Sequence, residues 1–145
     1  MIVRRAGAED AEALARLHRL TVRVSLPFLP ELHTPQEDLW FFASKLLPDN
    51  EVWLAEEAGV TLGYVAFHPG WIDHLFVHPD HQGRGIGPRL LERALVDSGE
   101  RRLWTFQKNA RARTFYEARG FELERLTDGA DNEEKEPDAL YLWRG

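Results

Sequence analysis

The stretch Trp71-Ile72-Asp73-His74-Leu75-Phe76-Val77, followed by His78-Pro79-Asp80-His81 and then by Gln82-Gly83-Arg84-Gly85-Ile86-Gly87-Pro88, decides the fold. Residues 71–77 form an apolar run broken by His78-Pro79-Asp80 and read as a strand. Pro88 to Val96 reads as an amphipathic helix, its proline in the first turn where a missing N–H costs nothing. Between them, Gly83, Gly85 and Gly87 let the backbone curl and aim several N–H groups at one point. That point is a helix N-terminus, where orphan donors and the macrodipole favour an anion. Arg84 adds a fixed positive charge. Strand, glycine loop and helix together make a cradle for a phosphate or pyrophosphate.

Spacing separates the anions such a loop can serve. A Walker A loop needs Gly-x-x-x-x-Gly-Lys-Ser/Thr, and the chain has no Lys-Ser or Lys-Thr pair. A dinucleotide fingerprint needs Gly-x-Gly-x-x-Gly in a first βαβ unit, whereas Gly83-x-Gly85-x-Gly87 is spaced differently and follows several earlier strands. The His-Arg-Asp and Asp-Phe-Gly signatures of kinases are absent.

Outward from the loop, the chain alternates strand and helix patterns. Ile2 to Ala6 reads as a short strand, and Asp10 caps a helix carrying Ala13, Leu14, Leu17, Leu20 and Val24 at helical spacing. Thr34-Pro35-Gln36-Glu37 is a capping box with proline at the first helical position, so a second helix runs to about Leu47 and stops at Pro48-Asp49-Asn50. Glu51 to Glu57 and Thr61 to His68 alternate as strands of a hairpin turned by Gly59, and Trp71 to Val77 completes the meander. Arg102 to Phe106 follows as a strand, then a helix from Ala110 to Arg119 closed by Gly120. Phe121 to Arg125 and Ala139 to Trp143 are two last strands, joined by the acidic connection Thr127 to Asp138. The expected fold is α/β (α+β): a three-layer domain over residues 1–145, its mixed, mostly antiparallel sheet of about six to seven strands covered by helices on both faces.

Composition narrows the function classes. At 145 residues the chain is long enough for one well-buried core. Its net charge of −6 argues against a general nucleic-acid surface. No apolar run is long enough to span a membrane, and Met1-Ile-Val-Arg-Arg enters a strand without a signal-peptide core, so a cytoplasmic protein is expected. The absence of cysteine excludes a thiol nucleophile, a disulfide framework and thiolate zinc sites. Its serines, Ser25, Ser44 and Ser98, lie in no Gly-x-Ser-x-Gly elbow. His74, His78 and His81 lack the accompanying ligand spacing of a metal site, so no metal is expected.

Val77-x-Pro79 followed by Gln82-x-x-Gly85-x-Gly87 and an amphipathic helix resembles the coenzyme A loop of the GNAT superfamily of N-acetyltransferases. A second stretch, Asn109-Ala-Arg-Ala112-Arg-Thr-Phe115-Tyr116-Glu-Ala-Arg-Gly120-Phe121, resembles a later signature of the same family, and the resemblance extends over essentially the whole chain. It implies an acetyl-CoA-dependent N-acetyltransferase with acetyl-CoA as co-substrate, moving the acetyl group directly to a primary amine in a ternary complex. It further implies that Gln82, Gly83, Arg84, Gly85, Ile86 and Gly87 hold the pyrophosphate through backbone N–H groups. The pantetheine arm would lie beside Leu75, Phe76 and Val77, with a backbone N–H near Leu75 polarising the acetyl carbonyl. Tyr116 matches the tyrosine that protonates the leaving thiolate, and Asn109 binds the pantetheine region, caps its helix, or does both.

The base is left open by the residues themselves. Strand parity puts Trp71, Asp73, Leu75 and Val77 on one face, so Asp73 shares the face of the acetyl site. His74, with a naturally suited pKa, has the opposite parity, and a water chain is a third route. The resemblance implies an acceptor site built from Leu26 to Gln36 and Asp128 to Asp138. The second, with Asp128, Asp131, Glu133, Glu134, Glu136 and Asp138 against Lys135, is either a solvated acidic loop or a surface favouring a cationic acceptor such as a polyamine, an aminoglycoside-like amine or a basic peptide terminus. A small-molecule N-acetyltransferase is the first expectation, as monomer or homodimer, without nucleic-acid or membrane partners. A protein N-terminal or lysine acetyltransferase and a non-catalytic acyl-CoA-binding regulator are the alternatives.

Overall fold

The computed structural model describes residues 1–96 and 99–145; Asp97, and with it Ser98 named above, lies outside the described residues. The strands are β1 (Ile2–Arg5), β2 (Glu51–Glu57), β3 (Val60–His68), β4 (Gly70–Val77), β5 (Arg101–Phe106), β6 (Glu122–Leu126) and β7 (Asp138–Trp143). The α-helices are α1 (Ala11–Ser25), α2 (Pro35–Phe41), α3 (Leu47–Asp49), α4 (Ile86–Leu95) and α5 (Ala110–Ala118). The strands form a mixed seven-stranded sheet in the order β1-β2-β3-β4-β5-β7-β6. Its β1–β2, β2–β3, β5–β7 and β6–β7 pairs are antiparallel, and β4 joins β5 in parallel through Gly70↔Arg101 and Trp71↔Arg102. The expected α/β architecture is thus the one observed. No helix among the described residues is long and apolar enough to cross a membrane.

The chain divides into two compact units, Met1–His68 with Ile72–Val96, and Pro69–Trp71 with Asp97–Gly145. In the first, Ala58 and Gly59 both take positive φ (53° and 78°), the two-residue turn whose twist suits a hairpin. Adjacent residues of β3 face opposite ways. A Cβ at Gly63 would meet Leu90 and Ile86 of α4, whereas the hydroxyl of Tyr64 bonds His18 of α1. Helices therefore cover both faces of this part of the sheet. The core on the α1 face contains Leu14, Leu17, Phe42, Leu46, Val52 and Leu54, all buried.

The capping box forms as the sequence predicts. Thr34 Oγ1 accepts from Glu37 N at 3.1 Å, and Glu37 Oε1 accepts from Thr34 N at 2.9 Å. The helix behind it departs from the expected single run to Leu47. After Phe41 it widens into a π-helical turn, Phe42–Leu46, and continues through α3 with Pro48 inside it. Because the wider turn already changes the hydrogen-bond register, the N–H that Pro48 lacks is not missed there.

In the second unit α5 ends in a Schellman motif. Gly120 N donates to Glu117 O (3.3 Å) and Phe121 N to Tyr116 O (3.1 Å). The accompanying apolar contact is Tyr116 against Phe121, ring centroids 5.2 Å apart. Here the Gly120-Phe121 pair of the signature has a structural cause.

Candidate active site

The glycine loop begins where β4 ends. Gln82 donates its side-chain amide to the carbonyl of Val77 (3.1 Å), bracing the loop against the strand, and His78 N donates to Leu62 O (2.7 Å). Gly83 and Gly85 stand at φ 81° and 82°, in the left-handed region, and a Cβ at either would meet nothing within 4 Å. Backbone conformation, rather than crowding, therefore requires glycine at both. Gly85 is the N-cap of α4, so Ile86 and Gly87 are its first two residues and Pro88 its third. All three fall where backbone N–H groups have no partner inside the helix, and proline costs nothing there. Arg84 sits beside a loop neighbour and the end of β2: its Nη1 is 2.5 Å from His81 Nδ1, and its Nη2 is 3.3 Å from Glu57 Oε2. His78 in turn accepts from Asp80 N at 3.0 Å. No group of three or more His, Cys, Asp or Glu able to hold a metal occurs among the described residues.

On β4, Asp73 and His74 have different surroundings. Asp73 is exposed and lies 3.4 Å from His68 Nδ1, which is also 2.9 Å from Asn50 Oδ1. His74 projects into an aromatic nest, its ring centroid 5.4 Å from Phe76, 5.9 Å from Phe42 and 5.0 Å from His18. Its Nδ1 is 2.8 Å from the hydroxyl of the fully buried Tyr64, and that hydroxyl is 3.0 Å from Nδ1 of His18. Burial, helped by the neighbouring imidazole of His18, holds the pKa of His74 well below its ordinary value. Burial pushes His18 down to about 4, against the opposing pull of Asp38. Tyr64 is pushed the other way, well above the usual phenol range, by the same burial.

The second signature builds α5. Asn109 is its N-cap, its side-chain oxygen accepting from Ala112 N at 3.2 Å, which accounts for an asparagine there and for the residue three positions on. Tyr116 is buried between Phe115 and Phe121, and burial raises its pKa, so its hydroxyl stays protonated across the physiological range. The same unit holds a cleft of about 390 Å³ lined by Trp104, Phe106, Asp128, Asp131, Glu134 and Asp138 among others. Four carboxylates of the acidic connection thus face one cleft, with Arg125 also on its wall. Asp138 is buried and accepts from Thr127 Oγ1 and from Asn132 Nδ2.

Two groups in the first unit escape a sequence reading: His18 and Tyr64. His18 falls four residues after Leu14 on the apolar face of α1, and Tyr64 interrupts an aliphatic strand. A polar group at an otherwise apolar position was the available signal, but its partners lie tens of residues away.

Comparison with known proteins fits this geometry. Residues 48–123 match the model of the acetyltransferase (GNAT) domain. Similar relatives include a probable N-acetyltransferase, Rv2775, of Mycobacterium tuberculosis, 39% identical over 52% of this chain and 49% of its own length. The chain thus spans about half the length of that relative. A peptidyl-lysine N-acetyltransferase, YjaB, of Salmonella typhimurium is 29% identical over 83% of each chain. An L-amino acid N-acyltransferase, MnaT, of Escherichia coli is 31% identical over 67% of this chain and 62% of its own. The solution structure of YjaB from Escherichia coli superposes with a TM-score of 0.79 at 26% identity, covering 100% of this chain and 99% of that one. YncA of Salmonella typhimurium, solved with acetyl-CoA, shares the fold at a TM-score of 0.75 and 19% identity, covering 99% and 92%. With both signatures in their structural places and the domain model spanning them, the chain belongs to the GNAT family of acetyltransferases.

Proposed function

We propose that this acetyltransferase moves the acetyl group of acetyl-CoA to a primary amine of a small cationic molecule, by direct attack in a ternary complex. The observation that carries the donor half is the loop. Two left-handed glycines lead into the N-terminus of α4, with Arg84 beside them, a backbone arrangement suited to a pyrophosphate. In this reading Gln82, Gly83, Arg84, Gly85, Ile86 and Gly87 hold the pyrophosphate, and Asn109 supports the pantetheine arm. That arm runs along Leu75, Phe76 and Val77. The Leu75 N–H stabilises the oxyanion of the tetrahedral intermediate. Tyr116, kept protonated by burial, gives its proton to the departing thiolate.

Asp73 is the base that strand parity selects, acting directly or through water. A specific observation favours His74 as a second reading: its imidazole is held neutral by burial and hydrogen-bonded to Tyr64, whereas Asp73 is exposed beside His68. For the acceptor, the carboxylates of the cleft in the second unit support a cation. A protein lysine is the alternative acceptor, supported by the similarity to a peptidyl-lysine N-acetyltransferase.

An amine panel with acetyl-CoA, read as free thiol release, tests this. Polyamines and aminoglycoside-like amines should be acetylated faster than neutral amino acids or lysine peptides. Asp131→Asn and Glu134→Gln should raise KM for the best cation by about tenfold or more, since a charge-assisted contact is worth about 1.5–3 kcal/mol. A panel led by lysine peptides would move the assignment to protein acetylation.

A further inference from the structure

Tyr64 has one hydroxyl proton and two imidazole neighbours, Nδ1 of His74 at 2.8 Å and Nδ1 of His18 at 3.0 Å. Its oxygen can donate to one ring nitrogen and must accept from the other. The two histidines are therefore opposite tautomers: one carries its proton on Nδ1 and presents a bare Nε2, the other carries it on Nε2. A three-residue line results, with an accepting end and a releasing end. It crosses from β4 through β3 to α1, walled by Phe41, Phe42 and Phe76. The charged groups near it are Asp38, which acts on His18, and Arg19, whose Nη1 bonds Asp38 at 2.7 Å. On β4 the line begins at His74, next to Leu75 in sequence and of opposite strand parity.

We propose that His74, Tyr64 and His18 form a relay that carries the proton of the acceptor amine away from the reacting centre; this rests on the acetyl-transfer reading above, with His74 rather than Asp73 as the base. The amine nitrogen forms its bond to the acetyl carbon, and its N–H proton passes to His74 Nε2, leaving the electron pair on nitrogen. The Nδ1 proton of His74 passes to the Tyr64 oxygen, the Tyr64 proton to His18 Nδ1, and the Nε2 proton of His18 to water. One proton enters and one leaves, so no charge stays in the aromatic nest. The carbon–sulfur bond then breaks with its electron pair on sulfur, and that thiolate takes its proton from Tyr116. A reverse passage after product release restores the tautomers. His74 is the group that meets substrate; Tyr64 and His18 act through it.

Two measurements test the relay. Long-range ¹H–¹⁵N spectra of the ¹⁵N-histidine-labelled protein should show His18 and His74 as neutral, opposite tautomers at pH 7; two identical tautomers overturn the line without any assay. With the best amine, Tyr64→Phe should lower kcat about a hundredfold, the low end of what general-base assistance contributes, with KM for acetyl-CoA unchanged. It should also straighten a proton inventory that is curved in the wild type, a readout that a packing defect does not move. His18→Gln, at the half-buried end, should do the same should the tyrosine variant fold poorly. Wild-type kcat and inventory in both variants overturn the relay and leave acetyl transfer standing. A wild-type protein that releases no thiol with any amine overturns both.

Discussion

Tyr116 is the residue on which the proposed acid step depends. It is the C3 residue of the Schellman motif, its carbonyl accepting from Phe121, so its backbone is fixed by the same bonds that end α5. Tyr116→Phe keeps the ring contacts with Phe115 and Phe121 and removes only the hydroxyl. The expected outcome is a loss in kcat of about a hundredfold, with KM for acetyl-CoA within about twofold, measured by steady-state thiol release. Unchanged kcat would remove the proposed acid. Such residues were legible in the sequence because each belongs to a short contiguous pattern. Asn109, Ala112, Tyr116, Gly120 and Phe121 are spaced by the geometry of one capped helix, so their spacing is written along the chain. His18 and Tyr64 have no such advantage. Their meaning comes from a hydroxyl and a ring brought together across 46 positions, which no local pattern records.

At the scale of elements, β3 decides how closely α4 approaches the sheet. A Cβ at Gly63 would lie 2.9 Å from the carbonyl oxygen of Phe76, 3.1 Å from Leu90 Cδ1 and 3.3 Å from Ile86 Cγ2. The side chains can give way, but the backbone oxygen belongs to β4 and cannot move cheaply. Gly63→Ala should therefore destabilise the protein by about 1–3 kcal/mol in urea denaturation, the usual cost of overpacking. It should also weaken coenzyme A binding measured by calorimetry, because the first residues of α4 are the end of the loop. Unaltered stability and affinity would mean that α4 is not seated by this contact. The elements themselves followed from period and punctuation, and the hairpin, the capping box and the glycine-closed α5 appear where those signals put them. The π-helical turn after Phe41 did not, because apolar spacing of 3.6 and 4.4 residues per turn cannot be told apart over five positions.

For the molecule as a whole, the half-buried histidines His18 and His74 make folding sensitive to acid. In the unfolded chain His18 titrates at its ordinary value of 6.5, whereas in the fold it is held down to about 4. Between those values the unfolded state binds the extra proton, so stability must fall as pH drops from about 6.5 to about 4, and His74, shifted the same way, adds to the loss. Asp38, fixed by Arg19, opposes the shift at His18 without abolishing it. Denaturant midpoints across that range should decline for the wild type and decline less for His18→Gln. An equal slope in the variant would mean that other groups govern the acid limit. The class of fold was readable because the anion loop and the capped helix are each local. The acidic wall of the cleft was readable as one connection, but its aromatic wall, Trp104 and Phe106, was not, since it comes from β5, a strand that precedes α5 in the chain.

The alternation of β3 has one more consequence. Gly63 touches the helix that carries the anion loop, and the next residue, Tyr64, holds the two imidazoles. A single peptide unit thus separates the residue that seats α4 from the one that holds both imidazoles. A substitution at Gly63 that pushes α4 off the sheet should therefore also disturb the Tyr64 contacts on the other face. One strand sets two fits at once, the seat of the loop helix on one face and the spacing of the two rings on the other.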